Sequence, residues 1–145
     1  MPALHWICAL TLTLLCCLTA QPVRNDQELE GMIKTIDKLI PQTGGCLDSE
    51  ASYYTPTDVN DNFLVAALNC SIAELDVLYK ECKDDDIKYS LAGLSESVEE
   101  RFDQFTNELQ AGTQSDFKCE NSTKKPSETF LKNIKTLLQR VNSHL

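Results

Sequence analysis

The segment CKDDDI, residues 82–87, decides how the helices of this chain run. Only Lys83–Asp86 separates an apolar stripe that ends at Cys82 from another that begins at Ile87. A connection this short makes consecutive helices antiparallel neighbours. The three aspartates also favour a helix start, because negative charge stabilises the N-terminal end of a helix. They lack the alternating ligands and central glycine of an EF-hand, so a calcium loop is not predicted.

Four segments repeat apolar residues every three or four positions, the period of a helix with one buried face. These helices are predicted at about residues 26–40, 60–82, 84–109 and 126–141. Pro41 and the following Gly44 and Gly45 are expected to end the first helix, and Thr57 or Asp58 to cap the second. Pro126, tolerated at the first helical position, starts the fourth. The stripe of the third helix continues over its whole length without a break.

The connections on either side of the short link are long. About residues 41–59 join the first two helices, and residues 110–125 join the last two. Such links span roughly 50 Å at about 3.3 Å per residue, enough to run back along a helix. An up-down-up-down bundle needs no long links, whereas an up-up-down-down bundle needs two. The predicted fold is therefore all-α, a short-chain four-helix bundle, up-up-down-down, with two long crossover loops.

The N-terminal residues 1–20 are predicted to be a secretory signal peptide. WICALTLTLLCCL is an apolar run of about thirteen residues, too short to span a membrane, and polar residues follow it. Cleavage between Ala20 and Gln21 leaves residues 21–145 as one domain, which is a size that one hydrophobic core can hold. The sequence therefore predicts a secreted, extracellular protein without direct membrane insertion.

Cysteine usage agrees with export. Three of the seven cysteines lie in the predicted signal, which leaves Cys46, Cys70, Cys82 and Cys119. In an oxidising compartment four thiols predict two disulfides, with three possible pairings. The absence of a CxxC pair argues against a zinc or redox site. Sequons at Asn121, in a polar loop, and at Asn69, beside a cysteine, are candidate glycosylation sites.

The net charge of −9 is unevenly distributed. From Lys118 onward six Lys or Arg and two Glu give a balance of +4, which leaves −13 for the rest of the chain. Nucleic acids and anionic membranes are bound by clustered positive charge, so the acidic body disfavours both as partners. It suits a basic protein partner.

No catalytic constellation is visible in residues 21–145. Their one histidine is His144, which excludes a histidine triad or an HExxH zinc site. Nucleophile-elbow, phosphate-loop and dinucleotide motifs are also missing. Neither an enzyme nor a cofactor or metal is predicted. The alternatives are a signalling ligand and a carrier of a small apolar molecule; a carrier needs an under-filled core, whereas these stripes are continuous Leu, Ile and Phe.

Two segments resemble the interleukin-2/interleukin-15 family. YYTPTDVNDNFLVAALNCSIAELDVLY, residues 53–79, is similar to an interleukin-15 loop and helix with the elements YT.SDV and C..LEL.VI. CENSTKKPSETFLKNIKTLLQRVN, residues 119–142, resembles the last segment of interleukin-15 and of interleukin-21. The interleukin-15 type is the closest in motif, with interleukin-2 and interleukin-21 as alternatives. The resemblance implies a cytokine that binds receptor chains.

The resemblance implies contact residues for two receptor chains. In the family a glutamine of the last helix contacts the common gamma chain; the matching residue is Gln139, and Lys132, Lys135 and Asn142 lie beside it. A tyrosine of the first long loop and acids of the second helix hold the alpha receptor in interleukin-15. The matching residues, with the acid after the last cysteine, are Tyr54, Glu74, Glu81 and Glu120.

The beta-receptor surface of the family transfers poorly. Its acid on the first helix aligns with Met32, and its acid and asparagine on the third align with Tyr89 and Gly93. The candidate contacts are therefore Glu28, Asp37, Asp86 and Tyr89.

The resemblance also bears on the disulfides. It pairs Cys70 with Cys119, while the second bridge of interleukin-15 is missing here, because Phe63 and Asp116 stand in its place. The extra residues Cys46 and Cys82 are then predicted to pair. The expected function is that of a monomeric secreted ligand that brings alpha, beta and common gamma chains together and signals to lymphocytes in immune responses.

Overall fold

The computed structural model describes residues 24–43, 46, 51–109 and 117–145. The predicted signal peptide lies outside these residues. The described chain forms, in order, α1 (Arg24–Thr43), β1 (Tyr53–Thr55), a 3-10 turn (Asp61–Phe63), α2 (Leu64–Glu81), α3 (Asp85–Glu100), α4 (Phe102–Glu108), a second 3-10 turn (Cys119–Asn121), β2 (Thr123–Lys125) and α5 (Ser127–His144).

The long helices form a four-helix bundle in which α1 and α2 each pack against both α3 and α5. Only residues 82–84 join α2 to α3, so these two helices are antiparallel. Glu28, near the start of α1, pairs with Arg101, which follows the end of α3. Asp61, before α2, pairs with Arg140, near the end of α5. The helices therefore run up-up-down-down, and the predicted all-α bundle is confirmed.

The core is made of large apolar side chains from every helix and from β1. Burying each one contributes roughly 1.5–3 kcal/mol before conformational entropy is subtracted. This filled interior disfavours a carrier of small apolar molecules. The largest fully buried side chains are Tyr53, Phe105, Phe130, Leu29, Ile36, Leu39, Leu64, Leu68, Leu75, Leu78, Leu91 and Leu131.

Asp61–Glu81, which contains α2, is long and apolar enough to cross a membrane by length and composition. In the bundle 56% of its apolar window is buried within the protein. Its apolar residues are therefore explained by the position of α2 in the core.

The predicted boundaries of the first two helices need correction. Pro41 itself does not end α1, which continues to Thr43, directly before the two glycines. Proline removes one N–H donor there, but only in the last turn, where few further bonds depend on it. Neither Thr57 nor Asp58 caps the second helix: the Asn60 side chain accepts a hydrogen bond from the Asn62 N–H (3.3 Å) and starts the 3-10 turn before α2. Asp58 takes a left-handed conformation instead, with φ of 53°.

The predicted third helix is divided in two. Arg101, with φ −102° and ψ 1°, leaves the helical conformation between α3 and α4. The apolar stripe still continues across the break, because the Phe105 N–H bonds to the Arg101 carbonyl (2.9 Å) and Phe105 remains buried. At the start of α3, Asp84 Oδ1 accepts hydrogen bonds from the N–H groups of Asp86 and Ile87, at 3.0 and 3.1 Å. Asp84 is thus the N-cap among the three aspartates.

The two crossover connections pair with each other through β1 and β2, which the sequence did not predict. The strands are antiparallel, with Tyr53 opposite Lys125 and Tyr54 opposite Lys124. Disulfides then join each crossover to α2 or its end: Cys46 bonds to Cys82, and Cys70 bonds to Cys119. These are the two pairs expected from the sequence and the resemblance.

Candidate functional site

One side of α2 carries two carboxylates that β1 holds in place. The Tyr54 N–H donates a hydrogen bond to Glu74 Oε2 at 2.9 Å, and the Tyr53 hydroxyl donates one to Glu81 Oε2 at 2.7 Å. Glu74 and Glu81 are seven residues apart and so lie on one face of the helix. Val77, between them, is 39% exposed. Two acids therefore flank an exposed apolar side chain.

Tyr53 is buried, and its hydroxyl contacts the carboxylate of the exposed Glu81. Its side chain is 1% exposed and its ring lies 5.4 Å from that of Phe130. Burial raises the pKa of the Tyr53 phenol well above its usual range, and the hydrogen bond to Glu81 and the charges of Glu81 and Glu74 raise it further. Tyr53 is therefore a neutral hydrogen-bond donor to Glu81 at physiological pH.

Glu120 lies on the same side of the bundle. It is exposed in the 3-10 turn Cys119–Asn121, and the bond from Cys119 to Cys70 places that turn one helical turn before Glu74. The structure thus bonds Glu74 and Glu81 to β1 and ties the turn that carries Glu120 to the same helix. We call the four residues predicted for the alpha receptor the acidic face: Tyr54, Glu74, Glu81 and Glu120.

The residues predicted for the common gamma chain lie on α5, but they differ in exposure. Gln139 and Lys132 are exposed, and Lys132 Nζ pairs with Glu128 Oε1 at 2.9 Å. Lys135 Nζ pairs with Asp37 Oδ1 of α1 at 2.7 Å, so its charge is directed toward the neighbouring helix. Asn142 is half-buried, and so less accessible than Gln139 and Lys132. Gln139 and Lys132 are therefore the accessible members of this group.

The four residues predicted for the beta receptor are not brought together. Glu28 and Tyr89 line a groove of about 570 Å³ between α1 and α3. Gly31 and Gly93 also line it, and a Cβ at either position would meet nothing within 4 Å. Asp37 instead pairs with Lys135, and Asp86 lies in the first turn of α3.

The two candidate glycosylation sites have different surroundings. Asn121 is exposed, and its sequon continues through Ser122 into the exposed Thr123 of β2. Asn69 is also exposed, but Ser71 of its sequon is fully buried and donates to the Ala67 carbonyl at 2.9 Å. In the folded chain, Asn121 and Thr123 of the first sequon are both exposed. Of the second sequon, Asn69 is exposed but Ser71 is not.

Sequence reasoning missed two residues beside the acidic face. Tyr54 alone was singled out, and the buried Tyr53, whose hydroxyl bonds to Glu81, was not. Lys124 lies opposite Tyr54 in the strand pair, and its ammonium is 4.7 Å from the centre of that ring. Neither contact has a local sequence signal, because each joins β1 to a segment that is distant in sequence: α2 for Tyr53 and β2 for Lys124.

Comparison with known sequences bears directly on these surfaces. The profile of the family described as Interleukin 15 matches residues 12–142, which is most of the chain. This chain belongs to the interleukin-15 family. Interleukin-15 of Ovis aries is 27% identical over 126 residues, covering 85% of this chain and 74% of the relative. Interleukin-15 of Marmota monax is 27% identical over 123 residues, with the same coverage.

Membership of the interleukin-15 family confirms the resemblance drawn from the motifs. The family is one of cytokines and not of enzymes, so the protein is an interleukin-15-like cytokine. Membership of this family implies binding to cytokine receptor chains.

Proposed function

We propose that this protein is a secreted ligand that brings alpha, beta and common gamma receptor chains together and thereby signals to lymphocytes. Residues 1–20 would be its signal peptide, and residues 21–145 the monomeric cytokine domain. The acidic face would bind the alpha chain, Gln139 and Lys132 of α5 the common gamma chain, and the groove beside Glu28 and Tyr89 the beta chain.

The observation that carries this proposal is the attachment of the acidic face to β1. Glu74 and Glu81 each have one carboxylate oxygen bonded to this strand, at 2.9 and 2.7 Å. No other hydrogen bond or ion pair to either carboxylate occurs within the described residues. The second oxygen of each can accept a charge-assisted hydrogen bond from a basic receptor module. Because the carboxylates are already oriented, little rotamer entropy is lost on binding.

Binding to immobilised ectodomains tests the alpha assignment. The disulfide-bonded protein is passed over alpha, beta and common gamma ectodomains of the same species. We expect Glu74→Lys to weaken alpha binding by about tenfold or more, because like charges at an interface cost several kcal/mol. Glu30→Lys is the matched control: Glu30 is exposed on α1, outside the acidic face, and should change alpha affinity by less than about twofold.

Gln139→Asp tests the common gamma assignment in the same preparation. The variant should abolish signalling in responsive lymphocytes while its helical content and thermal midpoint stay close to those of the parent, because Gln139 is exposed. A large loss of stability would show that this face is structural. Failure of the folded parent protein to bind any of the three ectodomains would refute the proposed function.

A further inference from the structure

The second crossover carries three lysines, two of them in the strand that pairs with β1. Lys124 and Lys125 belong to β2, and Lys118 precedes the 3-10 turn that leads into it. Lys118 and Lys124 are exposed, and Lys125 is half-buried. None of the described carboxylates forms an ion pair with these three side chains. We call Lys118, Lys124 and Lys125 the basic row.

Lys124 of the basic row shares one surface with the acidic face, whereas Lys125 lies opposite the buried Tyr53 on the other side of the strand pair. β1 contacts α2 on one side, through Tyr54 and Glu74, and pairs with β2 on the other. Directly opposed residues of an antiparallel pair point to the same side of the sheet, so Lys124 stands next to Tyr54. The 4.7 Å distance from the Lys124 ammonium to the Tyr54 ring confirms this placement. Tyr54 therefore contacts an acid on one side and a cation on the other.

We propose that the alpha partner of this protein presents charges of both signs: basic groups opposite Glu74 and Glu81, and a carboxylate opposite Lys124. The inference rests on the proposed alpha-chain function and adds the anionic contact to it. A ligand with charges of both signs in a fixed order docks in one orientation, because any other places like charges together. Lys124 would then be a determinant of partner specificity.

A polyanionic glycan is the other class of partner that lysines can serve. Glycan or phosphate binding needs clustered positive charge without interleaved acids. Here Glu120 lies two residues from Lys118, and the carboxylates of α2 lie just across β1. The mixed charge of this surface therefore favours a protein partner with a matching arrangement.

The test measures alpha-ectodomain affinity for the whole disulfide-bonded protein and three lysine variants. Lys124→Glu should weaken binding by about tenfold or more, whereas Lys124→Arg, which keeps the charge, should stay within about threefold. Lys88→Glu is the matched control, because the Lys88 ammonium also lies over a tyrosine ring, that of Tyr79 on α2, at 5.0 Å. Lys88→Glu makes the same change of charge and loses the same kind of cation–π contact, but at a site outside the strand pair.

Complementary variants of the ectodomain identify the anionic contact. Receptor carboxylates at the interface are changed singly to lysine, and one such change should restore binding of Lys124→Glu. Circular dichroism must show that Lys124→Glu is folded; if it is not, Lys124→Gln serves with the same expectation of weaker binding.

Each other outcome has a distinct meaning. Equal effects of Lys124→Glu and Lys88→Glu on alpha binding would overturn the inference while leaving the proposed function intact. Weaker retention of Lys124→Glu on heparin, with unchanged alpha affinity, would overturn it in favour of a glycan. Absence of alpha binding by the parent protein would instead remove the proposed function and the inference with it.

Discussion

At the scale of single residues, Tyr53 links the core to the acidic face. Its ring is buried against Phe130, while its hydroxyl fixes an oxygen of the exposed Glu81. One buried side chain therefore fixes the position of a proposed receptor contact relative to the core. A leucine in its place could pack but could not orient Glu81.

Tyr53→Phe separates these two roles, because it keeps the ring and removes the hydroxyl. We expect the free energy of unfolding to fall by about 0.5–1.5 kcal/mol, the net contribution of one hydrogen bond. Alpha affinity should also fall by a few-fold, because Glu81 must then be ordered on binding. Tyr89→Phe is the control: Tyr89 is 84% exposed and lines the groove between α1 and α3, outside the acidic face, so neither quantity should change. Loss of stability with unchanged affinity would show that Tyr53 is purely structural.

The same pair of proteins gives a pH test. The pKa of Tyr53 is raised on folding, so its neutral form is favoured in the native state. Its contribution to stability is complete below the unfolded phenol pKa of about 10, and is lost as pH rises above that value. The parent protein should therefore lose stability above about pH 10 more steeply than Tyr53→Phe. Parallel alkaline denaturation curves for the two would contradict this assignment.

At the scale of elements, Arg101 stands at the break between α3 and α4, and its side chain contacts both α4 and α1. Its guanidinium is nearly buried, donates to Gln104 Oε1 at 3.0 Å, pairs with Glu28 at 3.2 Å and lies 5.3 Å from the Phe105 ring. The partner Glu28 is 70% exposed at its side chain. Arg101 is therefore the buried member of this ion pair, and the packing of the junction depends on Arg101 more than on Glu28.

Arg101→Met should accordingly lower the free energy of unfolding more than Glu28→Gln does. Removing the arginine loses charge-assisted hydrogen bonds, worth about 1–3 kcal/mol, but leaves no buried charge behind. Glu28→Gln keeps an acceptor at an exposed position and should cost less than about 1 kcal/mol. Urea unfolding of both variants measures the difference. The reverse order would mean that the Glu28 charge itself supports the buried arginine.

The helices were predictable from sequence, whereas what lies between them was not. Apolar spacing placed all four bundle helices, because burial of one face imposes the period. It could not show the break at Arg101, since Val98, Phe102 and Phe105 keep that spacing across it. Strands of three residues are too short for a recognisable alternation, so β1 and β2 were missed. The acidic face was found through the resemblance, but its attachment to β1 involves a backbone N–H that no side-chain pattern reveals.

At the scale of the whole molecule, the two disulfides close loops of similar size in different places. Cys46 and Cys82 are 36 residues apart, and Cys70 and Cys119 are 49 residues apart. In the chain-entropy account, loops of these lengths stabilise the fold by about 4 kcal/mol each, with measured values commonly about 2–4. Stability alone therefore does not distinguish the two bridges.

Their effects on the proposed alpha surface should differ. Cys119 lies between Lys118 and Glu120, shortly before β2. The pair Cys70→Ala/Cys119→Ala therefore releases Glu120 and the start of the basic row from α2. The pair Cys46→Ala/Cys82→Ala removes a bridge next to Glu81, but Glu74 and Glu81 lie within α2 and their bonds to Tyr54 and Tyr53 do not pass through that bridge. We expect comparable losses of unfolding free energy for the two double variants, but a fall of about tenfold in alpha affinity only for the first. Equal losses of affinity would mean that the surface depends on the stability of the whole bundle and not on its local attachment to α2.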